Sequence, residues 1–381
     1  MRGIAVAEVR AAALLLGVAL LGAPHLEGQA QVFAEQAIFS AGERGYACFR
    51  IPALVVTTKG VVLAFAEARR TNCRDDDDID LVMKRSTDHG KTWSAMQVLF
   101  DDGAVSVNQP APVVDRKSGE VVLVFCKNNQ KVFMTRSKDE GRSWASPKEI
   151  TSDVVDPVWK YIGAGPGHGI QLGSGRLLIP SWGDVSPGQA TWRPAVWGKI
   201  QFSYAMYSDD HGATWKRSAP MEMDASDECM AVETNPNRIY MNMRSRQKKN
   251  QRAYSWSSDG GITWSKVEWD KTLPEPSCQG SLIRFTRKEN SDKDRILLAH
   301  PSNPNARSHL TIRISYDEAK TWAKSRMIRE GPSMYSDLAI TPEMQILCLY
   351  EVGKYASGDL KLMLARFNLE WLTQGTDHLP K

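Results

Sequence analysis

The chain has 381 residues, and 48 Lys and Arg set against 44 Asp and Glu leave a formal net charge of +4. That balance is too mild to point to a nucleic-acid partner or an anionic membrane surface. With 42% hydrophobic and 24% charged residues the composition is that of a packed globular chain, which excludes disorder, and 12 Trp imply one structural use made several times over.

The first element in chain order is a secretory leader. Arg2 gives a basic start, and the apolar run Ala11–Ala23 is too short to span a bilayer. Gly28 and Ala30 are small enough for cleavage after residue 30. The leader holds two Arg and two Glu, so the remainder keeps a charge of +4, and no later segment is apolar enough for stable membrane insertion. Residues 31–381 are expected to form a single domain, with no linker and no residues left for an appended module.

Short runs with strand character follow: Ala53–Val56, Val61–Ala66, Val121–Phe125, Arg176–Ile179, Ile239–Met243 and Ile296–Leu298. Helical character is confined to the tail, Leu369–Thr373. Among the strands one pattern recurs, Ser-x-Asp-x-Gly-x-Thr/Ser-Trp. It begins at Ser86, Ser137, Ser208 and Ser257, and a fifth copy from Ser315 carries Ala319 in place of Gly. The chemistry is that of a hairpin turn: Ser and Asp bond turn amides, Gly takes a positive φ, and Trp plugs the sheet below. Five copies make an internal repeat. The first and last copies are separated by four intervals averaging about 57 residues, so the 351 residues after the leader hold about six units. The expected architecture is all-β, a six-bladed β-propeller of four-stranded antiparallel blades. Each turn offers one carboxylate where calcium takes six to eight oxygens, so the turns are read as structural and no metal site is predicted.

The six Cys lack CxxC spacing, which argues against a zinc ribbon or a thioredoxin-type site. The glycines of 163–175 show GxGxxG-like spacing without the strand–turn–helix context of a nucleotide site. His168 and His300 are lone histidines and are read as structural.

The segment Cys48-Phe49-Arg50-Ile51-Pro52-Ala53-Leu54, with the repeated Asp turns, resembles the exo-α-sialidases (neuraminidases). The stretches Leu63–Arg69, Gly165–Gln171, Asn242–Ser245, Tyr335–Leu338 and Cys348–Glu351 carry the same resemblance. It implies a six-bladed propeller that hydrolyses terminal α-linked sialic acids from glycoconjugates, with retention, through a tyrosyl intermediate and without cofactor. Two alternatives stand beside that reading. One is a propeller that binds sialylated glycans without cleaving them; the other is a trans-sialidase, or an enzyme preferring a deaminated sialic acid. The leader implies a secreted or periplasmic protein, or a lysosome-like compartment in a eukaryote.

The chemistry explains the residue types. A sialic acid carries an ionised carboxylate on its anomeric carbon, and Arg binds carboxylate bidentately without ever deprotonating. The resemblance assigns this clamp to Arg50, Arg244 and Arg307, with Arg313 close to the third. A carboxylate nucleophile would be repelled by the substrate's own charge, whereas a neutral phenol escapes this if a base takes its proton; sialidases are the tyrosine exception among glycosidases. The matching phenol is Tyr335, whose pKa the surrounding Arg are expected to lower. Its base is Glu228, with Glu233 the rival. Within Asp75-Asp76-Asp77-Asp78 the acid/base position falls on Asp75, with Asp76 its alternative, and neighbouring acids are expected to raise its pKa. Glu351 resembles the Glu that orients the first Arg, Arg69 a residue near the sugar O4, and Trp182 part of the substrate wall. Cys48 and Cys73 both fall near this site and form the one disulfide pair considered, an exported chain being open to oxidation.

Overall fold

The computed structural model describes residues 1, 30–76, 78–185, 200–236, 238–354 and 360–380. The leader expected over 1–30 lies outside the described residues, apart from its two end positions. No helix among the described residues is long and apolar enough to cross a membrane.

Strand β1 (Phe33–Ser40) comes first in the chain and last in the ring. Blade 1 is β2 (Cys48–Val56), β3 (Val62–Arg69), β4 (Ile79–Ser86) and β5 (Gln97–Phe100). Blade 2 is β6 (Val107–Val114), β7 (Val121–Lys127), β8 (Lys131–Ser137) and β9 (Lys148–Glu149). Blade 3 has a split inner strand, β10 (Tyr161–Ala164) and β11 (Ile170–Gln171), before β12 (Leu177–Asp184), β13 (Gln201–Ser208) and β14 (Lys216–Arg217). Blade 4 is β15 (Ser226–Asn235), β16 (Arg238–Ser245), β17 (Gln251–Ser257) and β18 (Glu268–Pro274). β19 (Ser281–Thr286), β20 (Arg295–Pro301) and β21 (Ser308–Ser315) begin blade 5.

The 17-residue β22 (Lys324–Ile340) serves two blades. It pairs with β21 up to Pro332, and from Ser333 with β23 (Ile346–Val352). Blade 6 continues through β24 (Lys361–Phe367), and β1 pairs antiparallel with β24, Phe33 opposite Phe367, to close the ring. Each strand expected from sequence has a longer counterpart, with Val61 and Arg176 falling one residue before β3 and β12. The tail helix α1 spans Leu369–Thr373, its first turn capped by Asn368, whose side chain accepts from Trp371 N.

Alternation along each strand explains why the sheets stack radially. On β7, Val122, Val124 and Cys126 pack with Leu177 and Phe202 of blade 3. Val121, Leu123 and Phe125 face the other way, onto Leu63 and Phe65 of blade 1. Both faces are apolar because each blade is covered on both sides. Six such clusters fill the six seams.

The repeated turns seal these seams. In the first copy Ser86 Oγ donates to Asp88 Oδ1 (2.7 Å) and accepts from Gly90 N (2.8 Å). Thr92 donates its amide to Asp88 Oδ1 (2.9 Å) and its hydroxyl to Oδ2 (2.6 Å). Both carboxylate oxygens are thus consumed by the turn itself, and the other four copies repeat the pattern. Those bonds hold the carboxyls of Asp139, Asp210 and Asp259 down at about 2. Two successive residues have positive φ, as in His89 (61°) and Gly90 (83°), which is the type I′ geometry that matches strand twist. Trp93, Trp144, Trp215, Trp264 and Trp322 each plug a different seam, packing on the preceding blade. The sixth seam has no such turn, and Leu369, Trp371 and Leu372 of α1 fill it instead.

Gly261 shows what the turn tolerates. Its φ is +86°, and an added Cβ would lie 2.4 Å from Leu178 Cδ1, which is fully buried. Ala319 occupies the equivalent position at φ 62° and keeps its methyl in the seam. Gly261→Ala is expected to destabilise by about 2 kcal/mol through strain and overpacking. Ala319→Gly trades backbone relief against a lost buried methyl and should stay within about 1 kcal/mol of the parent. Urea denaturation of the two variants checks both.

Candidate active site

At one end of the ring axis lies a cavity of about 650 Å³ to which all six blades contribute. Its walls hold Glu67, Arg69, Asp75, Asn108, Gln109, Tyr161, Trp182, Glu228, Arg244, Arg307 and Tyr335. The inner strands reach it by a shared device. On β2 the register slips between Arg50 and Ala53, and Ile51 has φ 55°, a costly conformation for a β-branched residue. On β6 the same slip lies between Asn108 and Ala111, with Gln109 at φ 58°. Each left-handed residue precedes Pro, and each turns its amide onto a buried carboxylate of the preceding blade. Ile51 N donates to Glu351 (3.0 Å) and Gln109 N to Glu67 (2.9 Å). The bulge breaks the ladder and re-aims the side chain before it, Asn108 into the cavity wall and Arg50 behind it against Asp75.

The buried guanidinium groups are each backed by an acid. Glu351, fully buried, receives Arg50 Nε (3.1 Å) and Nη2 (3.3 Å). Asp227 receives both Nε (2.7 Å) and Nη2 of Arg244. Glu67 receives Arg69 Nη2 at 2.6 Å. Isolated buried charges would cost several kcal/mol each, and these pairs offset that cost, while the Nη1 of Arg50 and of Arg69 meets Asp75 and that of Arg244 meets Tyr335 and Glu228.

Tyr335 stands where these groups meet. Its hydroxyl donates to Glu228 Oε1 at 2.5 Å and accepts from Arg244 Nη1 at 2.8 Å. Arg244 Nη1 also lies 2.9 Å from Glu228 Oε2. The Arg50 and Arg307 guanidinium carbons are 5.2 and 5.6 Å from the Tyr335 ring centre. Arg307 is steadied by the Ser277 carbonyl (3.0 Å). Burial pushes the Glu228 carboxyl up, Arg244 opposes and Asp227 adds to it, and the balance stands at about 7.

The rivals lie elsewhere. Glu233 sits on β15 beyond the axis, bound to Gly173 N (3.0 Å) and Arg287 (2.7 Å). Arg313 donates to His300 Nε2 (3.0 Å) on the outer part of blade 5. Asp76 lines the rim, its carboxylate held outward by Arg74 (2.8 Å). Asp75 instead turns inward, 2.9 Å from Arg50 Nη1 and 2.7 Å from Arg69 Nη1. The expectation of a raised Asp75 pKa is therefore reversed. Burial does push the carboxyl up, but Arg69, Arg50 and Arg307 outweigh it and hold it below the usual range.

Trp182 lies over Gly163, where a Cβ would come within 2.0 Å of its Nε1, and its ring meets that of Tyr161 at a tilt of 35° with centroids 5.3 Å apart. His168 plugs the axis, its Nδ1 2.8 Å from Asp337, which also binds Leu54 N (2.8 Å) and Ser281 Oγ (2.7 Å). Cys48 and Cys73 are joined by a disulfide, and Cys126, Cys229, Cys278 and Cys348 are free and buried.

Sequence reasoning did not single out Asp227, Glu67, Asn108, Gln109 and Tyr161. Asp227 carries a usable signal, an acid adjoining Glu228 (the residue assigned as base). Gln109-Pro110-Ala111 repeats the pattern of Ile51-Pro52-Ala53 one blade on.

Residues 60–348 match the family described as BNR repeat-like domain. The chain is 30% identical over 384 residues to a sialidase of Micromonospora viridifaciens, covering 93% of this chain and 56% of that protein. It is 31% identical over 345 residues to a sialidase of Bacteroides fragilis, covering 82% of this chain and 61% of that one. The chain thus spans about three fifths of the length of these two relatives. Among solved structures it superimposes on the Hadza microbial sialidase Hz136 with a TM-score of 0.78 at 27% identity, over 89% of this chain and 69% of that one.

Glu351 holds both Arg50 and the Ile51 amide. Glu351→Ala is expected to destabilise by about 3 kcal/mol, since it leaves a buried cation short of its partner and a strained amide unbonded. Chemical denaturation measures the loss.

Proposed function

The chain belongs to the BNR-repeat sialidase family, and on that premise we propose that it is a retaining exo-α-sialidase acting on terminal α-linked sialic acids of glycoconjugates. The observation that carries this reading is the Tyr335 hydroxyl, held between Glu228 and Arg244 with two further guanidinium groups beside its ring.

Arg50, Arg244 and Arg307 take the substrate carboxylate and orient the anomeric carbon over Tyr335. Glu228 accepts the phenol proton as the oxygen attacks that carbon. The bond to the aglycone breaks, and its oxygen leaves with a proton from Asp75. In the second half Asp75, now a carboxylate, takes a proton from water as the water oxygen attacks the same carbon. Tyr335 departs and recovers its proton from Glu228. Two inversions give retention.

The pairing of Asp75 with Arg50 fits this cycle. Without substrate carboxylate beside it, Asp75 is a counter-ion of Arg50. A substrate carboxylate competes for Arg50, and an Asp75 that has lost a positive neighbour moves up toward the protonated form that can donate. Trp182 and Arg69 then form part of the wall around the ring substituents.

We also infer export. The run Ala11–Ala23 has the form of a leader, and a disulfide belongs to an oxidising compartment. N-terminal sequencing of the protein recovered outside the cytoplasm should begin at Gln31.

Tyr335→Phe should lower kcat on a 4-methylumbelliferyl sialoside by at least about 10³-fold, as removal of a nucleophile does. A wild type that retains sialylated glycans on an array without cleaving them would overturn the reading in favour of a binding propeller. Glu228 must be ionised to accept the proton, so kcat/KM should fall as pH drops through its raised pKa, near 7 rather than 4.5. Glu228→Gln should remove that limb of the profile along with most of the activity.

A further inference from the structure

Asp75 sits on the loop between β3 and β4, whose base is closed by the Arg70 amide on the Asp78 carbonyl at 3.0 Å. Two kinds of tie hold Asp75 to the body. One is ionic, to Arg50 and Arg69. The other is two residues away at Cys73, which is bonded through sulfur to Cys48 and whose carbonyl accepts from Arg69 Nη1 at 2.5 Å. Cys48 in turn stands two positions before Arg50 on β2, and Cys48, Cys73, Ile51, Met334 and Tyr335 share one buried apolar cluster.

The ionic tie fails at the moment it matters. A carboxyl that is to donate a proton carries no charge, and the substrate carboxylate draws off Arg50. A protonated Asp75 therefore has little electrostatic hold on the guanidinium groups that fixed it. The sulfur bridge is indifferent to protonation and to substrate. We propose that the Cys48–Cys73 disulfide is a positioning element of the acid/base step, fixing the Asp75 loop to the strand of Arg50 while the carboxyl is neutral. This rests on the sialidase reading of the site. It predicts a dependence on the leaving group: a sugar alkoxide needs the Asp75 proton to depart, whereas an acidic phenol leaves without it.

The test is a cycle on the full chain, with wild type, Cys48→Ser/Cys73→Ser, Asp75→Asn and the combined variant assayed on sialyl-lactose and on a 4-methylumbelliferyl sialoside. Removing the bridge should lower kcat/KM on sialyl-lactose by at least about 10-fold, since misplacement by an ångström costs up to about 10²-fold. The aryl substrate should change by less than about 3-fold on the same variant, because general acid help is small there. In the Asp75→Asn background the further loss on sialyl-lactose should disappear, because the two changes act through one group. Equal losses on both substrates, additivity in the cycle, or free thiols at both cysteines in the purified protein would each overturn the proposal. Should the double variant fold poorly, the folded wild type is treated with a phosphine, which takes an oxygen from water as the two sulfurs become thiols. The same divergence between substrates is expected, and its absence after complete reduction refutes the idea. A wild type inactive on both substrates would instead refute the sialidase reading itself.

Discussion

The site depends on burying several guanidinium groups next to one another, and on the acids that make this tolerable. Arg50, Arg69 and Arg244 are nearly inaccessible to solvent. Each would be prohibitive alone, and each is backed by an acid that is itself buried: Glu351, Glu67 and Asp227. The acids hold one edge of each guanidinium group, and the other edge meets Asp75 or the Tyr335–Glu228 pair. The geometry also governs protonation: burial, with Asp227 adding to it, drives Glu228 up and the surrounding Arg drive Asp75 down, so neither carboxyl titrates as it would in water.

The ring supplies what such a cluster needs. Six inner strands converge, and a small irregularity on each can be turned inward. The bulges at Ile51 and Gln109 are costly in isolation, but a buried carboxylate of the neighbouring blade pins each of them. Strain at the rim of the cavity is thus held by rigid seams farther out, where period-2 apolar strands and the repeated Trp leave little freedom. Asp337 and His168 do the same at the axis, tying β2, β19, β22 and the loop of blade 3 into one plug.

Much of this was legible in the residues. Five copies of one turn gave the blade count, because a turn that bonds its own Asp twice is specified locally and needs no tertiary context. The short strands and the tail helix followed from the same local chemistry. What could not be read was the sign of the Asp75 shift. Four Asp in a row suggest mutual repulsion, yet the loop sends Asp76 outward to Arg74 and Asp75 inward to Arg50 and Arg69. Charge neighbours in sequence were a poor guide because the fold chose different neighbours in space. Asp227 was passed over for a similar reason, since its partner lies 17 residues on, on the adjacent strand.

Strand β1 is the earliest of the strands to leave the ribosome, and β24, with which it pairs, is the latest. Blade 6 carries both Glu351 and the second half of β22, with Tyr335 on it. Among the described residues, the phenol and the acid behind Arg50 thus reside in the sheet where β1 meets β24, strands far apart in the chain. A nascent chain halted before β24 would consequently display five finished blades around a cavity whose phenol and Arg50 counter-ion lie on a sheet still lacking its closing strands.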